Sequence, residues 1–135
     1  MLTFDYRKRV RYGETDMMGY LYYGNYAQLY EIGRVEMMRS IGLSYRKMEE
    51  KYRVMMPVVE VQARYIKPAR YDEELTIRTT LQSLPGRIIT FFNDILSEDG
   101  HVIHRATVRL VFINMDTGKA VACPPYLMDG LKSYF

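Results

Sequence analysis

Between Thr3 and Tyr12 the apolar and aromatic side chains fall at Phe4, Tyr6, Val10 and Tyr12, an every-second-residue pattern that predicts a strand with one apolar face. The period breaks from Gly13 to Gly24, where three glycines, Gly13, Gly19 and Gly24, predict a structured loop. Asn25 is a favourable N-cap residue, and Gln28 three places later completes a capping-box pattern that opens a helix running to Ile41. Along it Tyr26, Leu29, Tyr30, Gly33, Met37 and Ile41 form an apolar stripe, with Glu31, Arg34 and Arg39 expected elsewhere. Gly42 supplies the left-handed residue that ends a helix, Leu43 folds back on the last turn, and Ser44 caps a shorter helix through Tyr52.

Everything beyond Val54 reads as strand and turn. Val59, Val61, Ala63 and Tyr65 share one face of a strand, as do Leu75, Ile77, Thr79 and Leu81 of the next. Ile88 to Leu96 is apolar on both sides in places, as a central covered strand would be. Val102, Ala106, Val108, Leu110 and Phe112 belong to a further strand. Turns are expected at Pro85-Gly86, Asp99-Gly100 and Asp116-Thr117-Gly118; a short last strand follows, and Pro124-Pro125 ends it before a brief tail. The order strand, loop, long helix and antiparallel meander is that of an α+β fold, read as a single domain over residues 1–135 with no repeat or linker.

Composition narrows the setting. The chain has 135 residues, of which 48% are hydrophobic and 26% charged, so it can bury a core without staples. One cysteine, Cys123, cannot form an internal disulfide, and the amphipathic N-terminus carries no apolar leader; the expectation is a cytoplasmic protein. No apolar run approaches the about 18 residues of a membrane span. The net charge of +3 is too slight to imply nucleic acid and suits a small anionic ligand.

Common catalytic signatures are missing: no G-x-S-x-G elbow, no dinucleotide or phosphate-loop glycine pattern, and a lone cysteine followed by two prolines. His101 and His104 are three apart near a strand start, so they point to opposite faces; no metal site is expected, and His104 reads as a partly buried structural histidine. What remains is the loop Tyr12–Tyr26, which delivers Asp16 to a helix start, where unpaired amides and the helix dipole favour negative charge. A thioester carbonyl develops that charge on oxygen when attacked, and its thiolate leaves readily, so one carboxylate can suffice as base or nucleophile. The residues alone do not overturn the plainer reading that Asp16 merely caps a turn.

The segment Asp16-x-x-Gly19-x-x-x-Tyr23-x-Asn25-Tyr26 resembles the signature of hotdog-fold thioesterases of the 4-hydroxybenzoyl-CoA thioesterase and YbgC type. The likeness extends through the helix and the segment Lys67-Pro68-Ala69-Arg70-Tyr71-Asp72 to nearly the whole chain. It implies a hotdog fold, in which a curved antiparallel sheet of five or six strands wraps one long central helix. It also implies hydrolysis of an acyl-CoA to free acid and coenzyme A, with Asp16 essential and the Tyr23 main-chain amide on the thioester oxygen. Many relatives carry histidine at this tyrosine position, so any side-chain role there is set apart. Coenzyme A enters as part of the substrate, and no cofactor is expected.

By the same resemblance two chains pair into one continuous sheet with active sites at the subunit boundary, giving a homodimer or a tetramer built from dimers. Gly19 serves either close approach to the ligand or turn geometry. Tyr22, Tyr26 and Tyr30 line an acyl pocket or pack as core, and Met17, Met18, Met55 and Met56 suit an adaptable acyl site. Lys67 and Arg70, with Arg64 nearby, form a basic cluster that could meet the coenzyme A phosphates. Two alternatives remain: an acyl group carried by acyl carrier protein, and a non-catalytic acyl-CoA binding or regulatory protein.

Overall fold

The computed structural model describes residues 1–135 and contains seven strands and three α-helices. Strand β1 (Leu2–Arg9) leads through the glycine loop into helix α1 (Tyr26–Ser40), the short helix α2 (Tyr45–Glu50) and the two-residue strand β2 (Val54–Met55). An antiparallel series follows: β3 (Val58–Tyr65), β4 (Glu74–Leu81), β5 (Ile88–Leu96) and β6 (Val102–Asn114). A two-residue strand β7 (Ala120–Val121) and helix α3 (Pro125–Leu131) complete the chain. The spatial order is β1-β4-β5-β6, with β2 and β3 along the far side of β6 and β7 also paired to β6. This curved open sheet around one long helix is the expected architecture, but the meander holds only for β4 to β6: β3 crosses the sheet to pair with β6, and β1 takes the place beside β4. Six of the seven strands are expected, the short last one being β7; the seventh, β2, is only two residues long and shows no period.

The residues of β4 alternate as read, with Leu75, Ile77, Thr79 and Leu81 all buried toward α1. Gly33 allows the close approach: a Cβ there would lie 2.5 Å from Thr79 Oγ1 and 3.1 Å from Ile77 Cγ2. Two apolar clusters flank this crossing, one around Met37, Met38, Phe91 and Phe112, the other around Leu29, Tyr30, Leu75 and Ile95. Each large side chain fully buried in them contributes about 1.5–3 kcal/mol. Strand β3 differs: all eight of its residues are exposed, since it has β6 on one side and no strand on the other.

Three local expectations need correction. Asn25 does not cap α1, because Tyr23–Asn25 already form a 3-10 turn and Asn25 has helical φ and ψ of −82° and −15°. Its side chain instead donates from Nδ2 to the Glu14 carbonyl at 2.9 Å, tying the helix start to the loop. Arg34 is not on the outer face of α1 but only 6% exposed, enclosed beside the buried Tyr45 hydroxyl. Pro124-Pro125 does not lead into a tail. It starts α3, with Pro125 at the first helical position, where its missing N–H costs nothing, and α3 buries Leu127 and Leu131. The other punctuation holds: Ser44 Oγ accepts from Lys47 N at 3.2 Å, and Gly42 has φ +83°.

Candidate active site

The loop between β1 and α1 is built by its own polar groups. Glu14 Oε1 accepts from Arg11 N at 2.7 Å and from Lys8 Nζ at 2.8 Å. Partial burial pushes the Glu14 carboxyl up, but these donors and their charge prevail and hold it below its ordinary range. The antiparallel bridge Thr15–Leu21 then closes the loop on itself, and the bridge Tyr20–Arg70 pins it to the segment after β3.

Asp16 sits at the bend between those bridges. Its Oδ1 accepts from Met18 N at 2.9 Å and Tyr20 N at 3.2 Å, its own N–H donates to the Tyr20 carbonyl at 2.9 Å, and Gly19 turns the chain at φ +78°. Gly19 is therefore required by turn geometry; the space where a Cβ would stand is open. Asp16 does cap a turn, yet only through Oδ1. The second oxygen has no hydrogen-bond partner and no cation is paired with it, so one oxygen anchors the side chain while the other stays available.

Asp16 and Tyr23 line one cavity of about 470 Å³, with Met18, Tyr20, Leu21, Tyr22, Tyr26, Tyr65, Ile66, Lys67 and Pro68. The Tyr23 amide begins the turn leading into α1 and donates to no backbone carbonyl, while its phenol is 65% exposed. Tyr22 and Tyr23 rings lie 4.8 Å apart, and the neighbouring Tyr23 phenol pushes the Tyr22 phenol up. Gly24 makes room for this arrangement, since a Cβ there would meet the Tyr22 ring at 2.7 Å.

The remaining candidates separate. Lys67 stands on the cavity lining, whereas the Arg70 guanidinium sits over the Tyr20 ring, 4.9 Å from its centroid, and outside the lining. Arg64 is on the opposite face of β3 from Tyr65, so the three cations do not form one cluster. Among the four methionines only Met18 reaches the cavity; Met17 is fully exposed, Met55 lies on β2, and Met56 packs on the other core cluster. Tyr26 is both core and wall, and Tyr30 is core alone.

Behind the wall lies His104, which is fully buried rather than partly so. Its ring stacks on Tyr26 at 4.1 Å, meets Tyr65 edge-on at 4.4 Å, and shares a hydrogen bond between Nδ1 and the Tyr30 hydroxyl. Burial pushes its pKa down from 6.5 to about 4, so it is neutral near pH 7. The contributions of Tyr20, Tyr65, Ile66 and Pro68 are invisible to local periodicity, because they depend on the Tyr20–Arg70 bridge between distant segments. The one available signal is Tyr65, the last residue of an alternating run just before Lys67-Pro68. No group of three or more His, Cys, Asp or Glu side chains gathers anywhere as a metal site would require, and no helix is long and apolar enough to cross a membrane.

Residues 10–131 match the family model described as the thioesterase-like superfamily. The acyl-CoA thioester hydrolase YbgC of Escherichia coli O6:H1 is 30% identical over 92% of this chain and 92% of its own. A DHNA-CoA thioesterase from Staphylococcus aureus superposes with a TM-score of 0.89 at 29% identity, covering 99% of this chain and 89% of that one. A 1,4-dihydroxy-2-naphthoyl-CoA thioesterase from Synechocystis superposes with a TM-score of 0.88 over 96% of each chain; at 20% identity it speaks for the fold alone. With the long helix, the curved antiparallel sheet and a match spanning nearly its whole length, this chain belongs to the thioesterase-like superfamily and has the hotdog fold.

Proposed function

We propose that this chain hydrolyses an acyl-CoA thioester to a free acid and coenzyme A, with Asp16 as the catalytic carboxylate and the Tyr23 amide as the oxyanion donor. The observation that carries this reading is that the free Asp16 oxygen and an amide without a backbone acceptor meet on one largely apolar cavity at the start of a helix. As a base, Asp16 takes a proton from water while the oxygen adds to the thioester carbon. The carbonyl oxygen becomes negative against the Tyr23 N–H, and the intermediate collapses by expelling the coenzyme A thiolate. As a nucleophile, the same carboxylate forms a mixed anhydride that water then opens. Either course needs only groups the chain supplies, with no cofactor. Lys67, on the cavity rim, is the residue we assign to the coenzyme A phosphates.

The open edge of β3 supports a homodimer, because Val58, Val59, Val61 and Tyr65 are exposed there and an unpaired edge is a template for a second strand. A cytoplasmic setting suits the single half-buried thiol of Cys123.

Asp16→Asn keeps the Oδ1 acceptor and removes the charge. On a panel of aliphatic and aromatic acyl-CoAs it should lower kcat by about a hundredfold to ten-thousandfold with folding unchanged. Turnover within a few-fold of the parent chain refutes the assignment.

A further inference from the structure

Five charged residues, one from each of five adjacent strands, stand in a single row across the sheet face turned away from α1. Asp5 is directly opposite Arg78, Arg78 opposite Asp94, Asp94 opposite Arg105, and Arg105 opposite Arg64. The first four pair off. Both oxygens of Asp5 take Arg78 at 2.8 and 2.9 Å, and both oxygens of Asp94 take Arg105 at 2.7 and 3.2 Å. The signs therefore alternate until the last place, where Arg64 meets only another arginine whose carboxylate partner is already shared in both oxygens. Like charges directly opposite on a sheet destabilise it, and Arg64 forms no ion pair within the chain.

The same face of β3 holds a matching anion. Gln62 and Glu60 follow Arg64 at every second residue; Glu60 Oε1 accepts from Gln62 Nε2 at 3.0 Å and pairs with no cation. Along the free edge the order is thus negative, neutral, positive. An antiparallel strand with the same order, turned end for end, is its complement.

The geometry points to β3 of a second copy as the occupant of this edge, paired antiparallel about Gln62 so that each Glu60 lies opposite Arg64 of the other copy. This rests on the dimer reading above and adds its register. Pairing about Val61 would set Glu60 against Gln62 and Arg64 against Val58; pairing about Ala63 would set Arg64 against Gln62. Pairing about Glu60 or Arg64 would stack like charges. Only the Gln62 register gives both charges partners and continues the row through the second sheet. It also sets Val61 against Ala63 on the other face, and brings the start of the second copy's β3 beside Tyr65 and Ile66, at the rim of the catalytic cavity.

The test is sedimentation over a dilution series at low salt, with hydrolysis measured on the same samples. Glu60→Arg and Arg64→Glu each replace two attractive contacts per dimer with two repulsive ones and should raise the dimer Kd by about tenfold or more. Mixing the two folded variants should give a heterodimer that restores both contacts, tighter than either homodimer and within a few-fold of the parent protein. The double swap Glu60→Arg/Arg64→Glu should recover likewise. Single variants that associate like the parent, a mixture that forms no preferred heterodimer, or a monomeric parent each overturn the register. Failure of the catalytic reading would instead show in Asp16→Asn turnover, with the association constants unmoved.

Discussion

Replacing Gly33 with alanine probes the contact that seats the long helix on the sheet. An alanine Cβ would stand 2.5 Å from Thr79 Oγ1, about 0.9 Å inside an ordinary carbon–oxygen contact, and 3.1 Å from Ile77 Cγ2. Neither neighbour can retreat, because Thr79 and Ile77 are both completely buried. Overpacking of this kind costs up to about 3 kcal/mol, while alanine gains about 1 kcal/mol over glycine inside a helix, leaving a net loss of about 2 kcal/mol. Urea unfolding should show a lower midpoint with an unchanged slope. Thr79→Ala removes the obstructing oxygen, which has no hydrogen-bond partner of its own. In the double variant the two losses should therefore fall short of their sum by about 1–2 kcal/mol. A neutral or stabilising Gly33→Ala, or strictly additive losses, refutes the account of the crossing.

Buried His104 predicts an acid-sensitive fold. With its pKa lowered by burial from 6.5 to about 4, the unfolded chain binds a proton that the folded chain refuses between those values. Stability is complete above about pH 6.5 and declines by about 3 kcal/mol as pH falls to 4, a slope that His104→Gln should remove and that persists if the histidine is not responsible. Asn25 separates capping from bracing: a serine would serve an N-cap, but it cannot reach the Glu14 carbonyl. Asn25→Ser should thus cost about 1–2 kcal/mol, as much as Asn25→Ala, in thermal or urea unfolding. Retained stability in the serine variant would restore the capping role.

The parts of the molecule legible in the sequence are those whose pattern is local. The alternation of Leu75, Ile77, Thr79 and Leu81 gives β4 directly, because one face of that strand is buried by α1 and the other meets solvent. The caps at Gly42 and Ser44 follow from backbone geometry within a turn. What the pattern hides is set by distant partners. Arg34 looks like an outward charge until Tyr45 of α2 encloses it, and Asn25 looks like a cap until Glu14 accepts its amide across the loop. The Asp16 loop was recognisable as a motif, but periodicity could not show that β3 returns Tyr65 and Ile66 to the same cavity, or that Arg70 turns onto Tyr20. Pro124-Pro125 misleads for a related reason: proline stops a strand and starts a helix with equal ease, and only the residues it buries, Leu127 and Leu131, decide between them.

The central claim is that the Asp16 carboxylate and the Tyr23 amide act on one thioester carbonyl. The direct test is a crystal structure of Asp16→Asn holding an uncleaved acyl-CoA. The thioester oxygen should accept a hydrogen bond from the Tyr23 N–H at about 2.7–3.1 Å, with the residue 16 amide group beside the carbonyl carbon. A thioester bound with its oxygen turned from that amide, or with its carbon out of reach of residue 16, would contradict the claim.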